Sequence, residues 1–162
     1  MKRPTVPRWA AAAVVVSAAL LPACGPGDGL DSSQASALKS RAESFGTRSE
    51  GVEKTIRACS ELGQAGQEAG FRACLVDAFD SFQGDIDSLG AYVSDLATEA
   101  RGECRSRLEA WAETLEEVGA GFGRAAADAR AGNYEQVTST IDSAGVEEIQ
   151  GVGGRAAGAC TS

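Results

Sequence analysis

The chain is predicted to be all-α: an antiparallel, up-down-up-down bundle of about four helices, stapled by two disulfides. Three observations carry this. From residue 31 onward, apolar residues recur at alternating steps of three and four, the spacing of a helix that buries one stripe. The periodic segments are separated by glycine-bearing stretches of the kind that end helices. Four of the five cysteines lie symmetrically about two of those stretches.

The first 23 residues are set apart from the bundle. Lys2, Arg3 and Arg8 give a positive start, Trp9 to Leu21 form an apolar run, and Ala23 is a small closing residue. This is the three-part form of an export signal. As a helix the apolar run would rise about 20 Å, short of a bilayer core, so a permanent span is not expected. Leu21-Pro22-Ala23-Cys24 then resembles the lipobox of bacterial lipoproteins, with Pro22 where that family usually has Ala, Ser, Thr or Val. The resemblance implies cleavage before Cys24 and a diacylglyceryl group on its thiol. Two acyl chains on one residue give stable membrane attachment, where one chain is marginal. The other reading is ordinary signal-peptidase cleavage that leaves Cys24 a plain thiol. Gly25 to Gly29 alternates glycine with Pro26 and Asp28, a composition that suits a short flexible tether. The chain is thus divided into a signal peptide at 1–23, a lipidated cysteine with tether at 24–33, and a helical bundle at 34–162. The expected location is extracytoplasmic, anchored to the bacterial cell membrane, and to the outer membrane in a Gram-negative cell.

The first helical segment carries the stripe Leu38, Ala42, Phe45, Ser49, Val52, Ile56 and Cys59, with Asp31, Ser32 or Ser33 as its cap. The second carries Phe71, Leu75, Ala78, Phe82, Ile86, Leu89, Val93 and Leu96. The third, Cys104 through Leu108, Trp111, Leu115, Val118, Phe122, Ala125 and Ala129, keeps the spacing without a slip. The fourth runs from Tyr134 through Val137, Ile141, Gly145, Ile149, Val152 and Ala156 to Cys160. Gly63–Gly70, Arg101-Gly102 and Gly132-Asn133 separate them. Each interior glycine costs about 1 kcal/mol relative to alanine, so 119–123 and 151–154 are the places where a kink or break could fall, a point the sequence leaves open.

Four cysteines allow three pairings, and an exported chain meets an oxidising compartment. Cys59 and Cys74 are equidistant from the first glycine turn, and Cys104 and Cys160 from Gly132. Residues symmetric about an antiparallel turn lie at one height, where Cα atoms reach bridging distance. Cys59–Cys74 and Cys104–Cys160 are therefore expected, which leaves Cys24 unpaired.

For activity, the sequence gives little. The chain has a net charge of −8 and residues 1–23 hold three basic and no acidic groups, so the remainder carries −11. Such a surface is repelled by nucleic acid and by anionic lipid headgroups. Histidine is absent, which removes the commonest general base and nitrogen ligand. No metal site, cofactor or catalytic set is expected. Gly121 to Ala126 matches a dinucleotide-binding glycine pattern without the strand it needs. Asp85, Asp87 and Gly90 begin like a calcium loop that Leu89 and Leu96 interrupt. Glu113, Glu116 and Glu117 read as a solvated face. Trp111 and Phe122 read as core before they read as pocket lining. The expectation is a non-enzymatic, membrane-anchored interaction module with an envelope protein partner; the alternative is a bundle that binds a small ligand between its helices.

Overall fold

The computed structural model describes residues 29–160, and among them the regular structure is entirely helical. The segment 1–28, with the signal region, Cys24 and most of the tether, lies outside the described residues. The helices are α1 (Ser32–Gln64), α2 (Glu68–Glu99), α3 (Gly102–Ala131), α4 (Tyr134–Ser143) and α5 (Val146–Cys160).

The helix ends follow from local chemistry. Asp31 caps α1: its carboxylate accepts from the backbone N–H of Ser33 and Gln34, each at 2.8 Å, while the Gln34 side chain accepts from Asp31 N–H at 3.0 Å. A reciprocal box of this kind contributes about 1 kcal/mol. Helix α1 stops at Gly66 and α3 at Gly132, both left-handed with φ of 75° and 78°. At each stop two backbone N–H groups fold back onto orphan carbonyls: Gly66 to Gly63 and Gln67 to Leu62, Gly132 to Ala129 and Asn133 to Asp128. The paired 6→1 and 5→2 bonds make Schellman caps. Arg130 in the last turn of α3 suits its dipole.

Helices α2 and α3 form the central pair; α1 packs on α2, while α4 and α5 pack on α3. This serial order decides how deeply each stripe is buried. Helices α2 and α3 are covered on two sides, and Phe79, Ile86, Val93, Leu108, Leu115 and Val118 are almost fully enclosed. On α1 only Leu38 and Cys59 of the apolar stripe are buried, whereas Ala42, Phe45, Val52 and Ile56 are half-buried. At mid-height Phe45 stacks on Phe82 at 5.5 Å, Phe82 meets the edge of Phe122 at 4.7 Å, and Phe79 lies 6.0 Å from Phe122. Two ion pairs cross between helices, Arg48 with Asp85 and Arg130 with Asp80.

The fourth segment departs from expectation. It is two helices rather than one, broken at Ala144-Gly145, where Gly145 takes a φ of 70°. The question the sequence leaves open at 119–123 and 151–154 is answered: α3 and α5 continue through both glycine clusters. The glycines of α3 serve close approach instead. A Cβ on Gly119 would lie 2.8 Å from Asp87 Oδ1, one on Gly123 2.9 Å from Gln83 Oε1, and one on Gly121 2.6 Å from the Ala144 Cβ. The corner between α4 and α5 therefore sits directly on Gly121. Gly121→Ala is expected to cost about 1–3 kcal/mol, because Ala144 has no flexible end to give way. Gly84→Ala, in an exposed α2 position with nothing within 4 Å, should instead stabilise by about 1 kcal/mol. Urea midpoints of the two variants moving in opposite directions would check the distinction.

Candidate functional site

Both expected disulfides are present. Cys59–Cys74 has its Cα atoms 5.5 Å apart and Cys104–Cys160 4.5 Å. The symmetry that predicts them holds along α5, where Gly153 faces the Trp111 indole and Ala144, at the corner, meets Gly121. Along α4 it drifts: Thr140 donates to Asp128 at 3.2 Å, whereas the mirror position of Asp128 about Gly132 is Gln136. The two bridges lie at opposite ends of the bundle, Cys59–Cys74 beside the α1–α2 turn and Cys104–Cys160 where α3 begins and α5 ends.

An open cleft of about 650 Å³ lies between α3 and the α4–α5 corner. Glu113, Glu116 and Glu117 line it from α3, and Glu148 faces them from α5, with Arg124 and Ser143 at its margin. The three glutamates that read as a plain solvated face are one wall of this cleft. Sequence reasoning passed over Glu148, although a signal existed: it mirrors Glu116 about residue 132. Four carboxylates against one guanidinium make the cleft electronegative, and the favoured occupant of such a surface is cationic.

Neither aromatic candidate lines it. Trp111 is buried beneath α5, where a Cβ on Gly153 would come within 2.9 Å of its ring, and its indole N–H has no hydrogen-bond partner among the described residues. Phe122 is enclosed by Phe79 and Phe82. The dinucleotide-like Gly121–Ala126 run lies in mid-α3, and Asp85, Asp87 and Gly90 lie in unbroken α2, so neither forms a loop. At the far end Phe71 packs on Tyr134 with centroids 4.9 Å apart, and Arg72 Nε reaches the Tyr134 hydroxyl at 3.4 Å. That hydroxyl, and then the Glu68 carboxylate, hold the Arg72 guanidinium above its ordinary pKa.

Among the described residues, no group of three or more His, Cys, Asp or Glu side chains is placed to hold a metal ion. Among the same residues, no helix is long and apolar enough to cross a membrane. Comparison with protein families, curated proteins and solved structures gives no match to this chain.

Proposed function

We propose that this chain is an extracytoplasmic lipoprotein, anchored through Cys24, whose bundle is a non-catalytic interaction module presenting an acidic surface to an envelope protein. One observation carries the reading: two disulfides use Cys59, Cys74, Cys104 and Cys160, and the cysteine left over is the one in the lipobox-like stretch. Structural disulfides belong to oxidising compartments, which agrees with an export signal by an independent route. The filled aromatic centre and the absence of histidine from the sequence favour a scaffold over a catalyst.

The anchor is tested by detergent-phase partitioning of cells expressing the full chain. The native protein is expected in the detergent phase with a mass increment for acyl chains on Cys24, and Cys24→Ser in the aqueous phase. Native protein found in the aqueous phase would refute the anchor.

The cleft favours a second reading, a small organic cation held by Glu113, Glu116, Glu117 and Glu148. Calorimetry with a polyamine discriminates: binding lost in Glu116→Gln with Glu148→Gln supports the small ligand. Capture of an envelope protein that the same variant retains supports the module.

A further inference from the structure

We infer that the bundle stands upright on the membrane, resting on the end that carries the Cys104–Cys160 bridge and holding its acidic body away from the lipid headgroups. The inference rests on the anchor proposed above and adds to it an orientation and a contact surface.

The first observation is where the chain enters. Gly29 lies against the Cys160 carbonyl, and Leu30 N–H approaches that oxygen at 3.4 Å. The start of α1 is therefore beside the end of α5, at the same end as the α2–α3 connection. The Gln34 side chain donates to Glu99, which fixes α1 to the end of α2 there. Cys24 is five residues before Gly29, so whatever conformation those residues take, an anchored Cys24 is within about 18 Å of this end. The opposite end, with Gly66 and Gly132, is roughly 45 Å farther along the helices.

The second observation is how charge is distributed along the rod. The entry end, residues 29–45, 88–112 and 152–160, carries six basic and six acidic side chains. This slab reaches roughly 20 Å along α1 and about 14–18 Å along the other helices. The rest of the described chain, 46–87 and 113–151, carries six basic and sixteen acidic side chains. Half of the basic groups after residue 28 are thus concentrated in the entry end. Arg101, Arg105 and Arg107 there lie exposed on or beside the α2–α3 connection, with Arg155 on α5; Arg105 and Arg107 each pair with a glutamate of the same helix, Glu109 at 2.8 Å and Glu103 at 3.1 Å, exposed surface pairs that hold a guanidinium only weakly.

Together these decide between lying flat and standing. A rod on its side would bring one flank of a body with ten excess negative charges against anionic headgroups. Standing on the neutral slab lifts those charges beyond the Debye length, about 8 Å at physiological salt, while the arginines meet the surface potential that attracts them. The occupant of the entry end is accordingly an anionic lipid surface, and the acidic flank with its cleft faces outward, toward a partner.

The full chain, processed in cells, is purified and reconstituted into phosphatidylcholine vesicles with phosphatidylglycerol and a dansyl-headgroup lipid. Trp111 is the only tryptophan after residue 23 and reports on the entry end. Trp111→Phe combined with Tyr134→Trp moves the reporter to the far end, and Trp111→Phe with exposed Gln64→Trp does so again should Tyr134→Trp disturb packing. Transfer to dansyl is expected to be several-fold more efficient from Trp111 than from either far-end reporter. Equal transfer from both ends, or more from the far end, overturns the orientation. Arg101→Glu with Arg105→Glu and Arg107→Glu should lower Trp111 transfer in phosphatidylglycerol vesicles and leave it unchanged in pure phosphatidylcholine; no change in either overturns the headgroup contact. Mass analysis separates the two failures. Cys24 without acyl chains sinks the anchor and the orientation together, whereas acylated Cys24 with equal transfer sinks the orientation alone.

Discussion

Phe122→Ala is expected to remove about 3–5 kcal/mol of folding stability, the usual cost of deleting a large enclosed aromatic. Phe122 is 1% exposed and lies within ring contact of both Phe79 and Phe82. Phe45 reaches the same cluster through Phe82, so the ring joins three helices at one height. The α3 positions that follow it in the core are alanines, Ala125, Ala126 and Ala129, and small neighbours close a cavity poorly. A stability of about 5–15 kcal/mol is ordinary for a domain, so this loss is a large share of the whole. Urea denaturation followed by circular dichroism measures it. A loss under about 1 kcal/mol would show that the aromatic centre is not what holds the helices together.

The second large effect concerns the Cys104–Cys160 bridge. Replacing both residues by serine frees a loop with a sequence separation of 56, which loop-closure entropy values at about 4 kcal/mol. The corresponding change at Cys59–Cys74, with a separation of 15, is about 3 kcal/mol. The difference in kind is larger than the difference in size. Helix α5 packs mainly on α3, contains four glycines, and is exposed to solvent at Gly151, Gly154 and Arg155. The bridge is the covalent tie at its last turn. Limited proteolysis should cut the double serine variant within α5 while α1–α3 stay intact, and thermal unfolding should shift down on the order of 10–15 °C. Protection of α5 equal to that of the native protein would contradict this.

Both positions are legible in the sequence, for a physical reason. Apolar spacing reports which face of a helix is buried, and symmetry about a turn reports which residues share a height; neither requires knowledge of tertiary packing. The stripes of α2 and α3 and both cysteine pairs follow from those two rules alone. The break at Gly145 does not. Gly119, Gly121, Gly123, Gly145, Gly151, Gly153 and Gly154 carry the same propensity cost, about 1 kcal/mol. Which of them bends depends on a neighbour: Ala144 rests on Gly121, and no local pattern encodes that contact. The half-burial of the α1 stripe is hidden for a similar reason, since periodicity identifies a face but not how many helices cover it. The cleft was half visible. Glu113, Glu116 and Glu117 stood out as a cluster, but its opposing wall comes from α5, and only the register about Gly132 brings Glu148 across.

The crosslinks also bear on how the molecule is made. Each joins consecutive cysteines, the first after residue 24 to the second and the third to the fourth, with no interleaving. A chain entering an oxidising compartment N-terminus first presents Cys59 and Cys74 long before Cys104 emerges. The thiols that meet first are the native partners, held close by the α1–α2 hairpin, and the next two repeat the event on α3 and α5. Maturation therefore needs an oxidant but no reshuffling, the step that otherwise takes seconds to hours and calls on an isomerase.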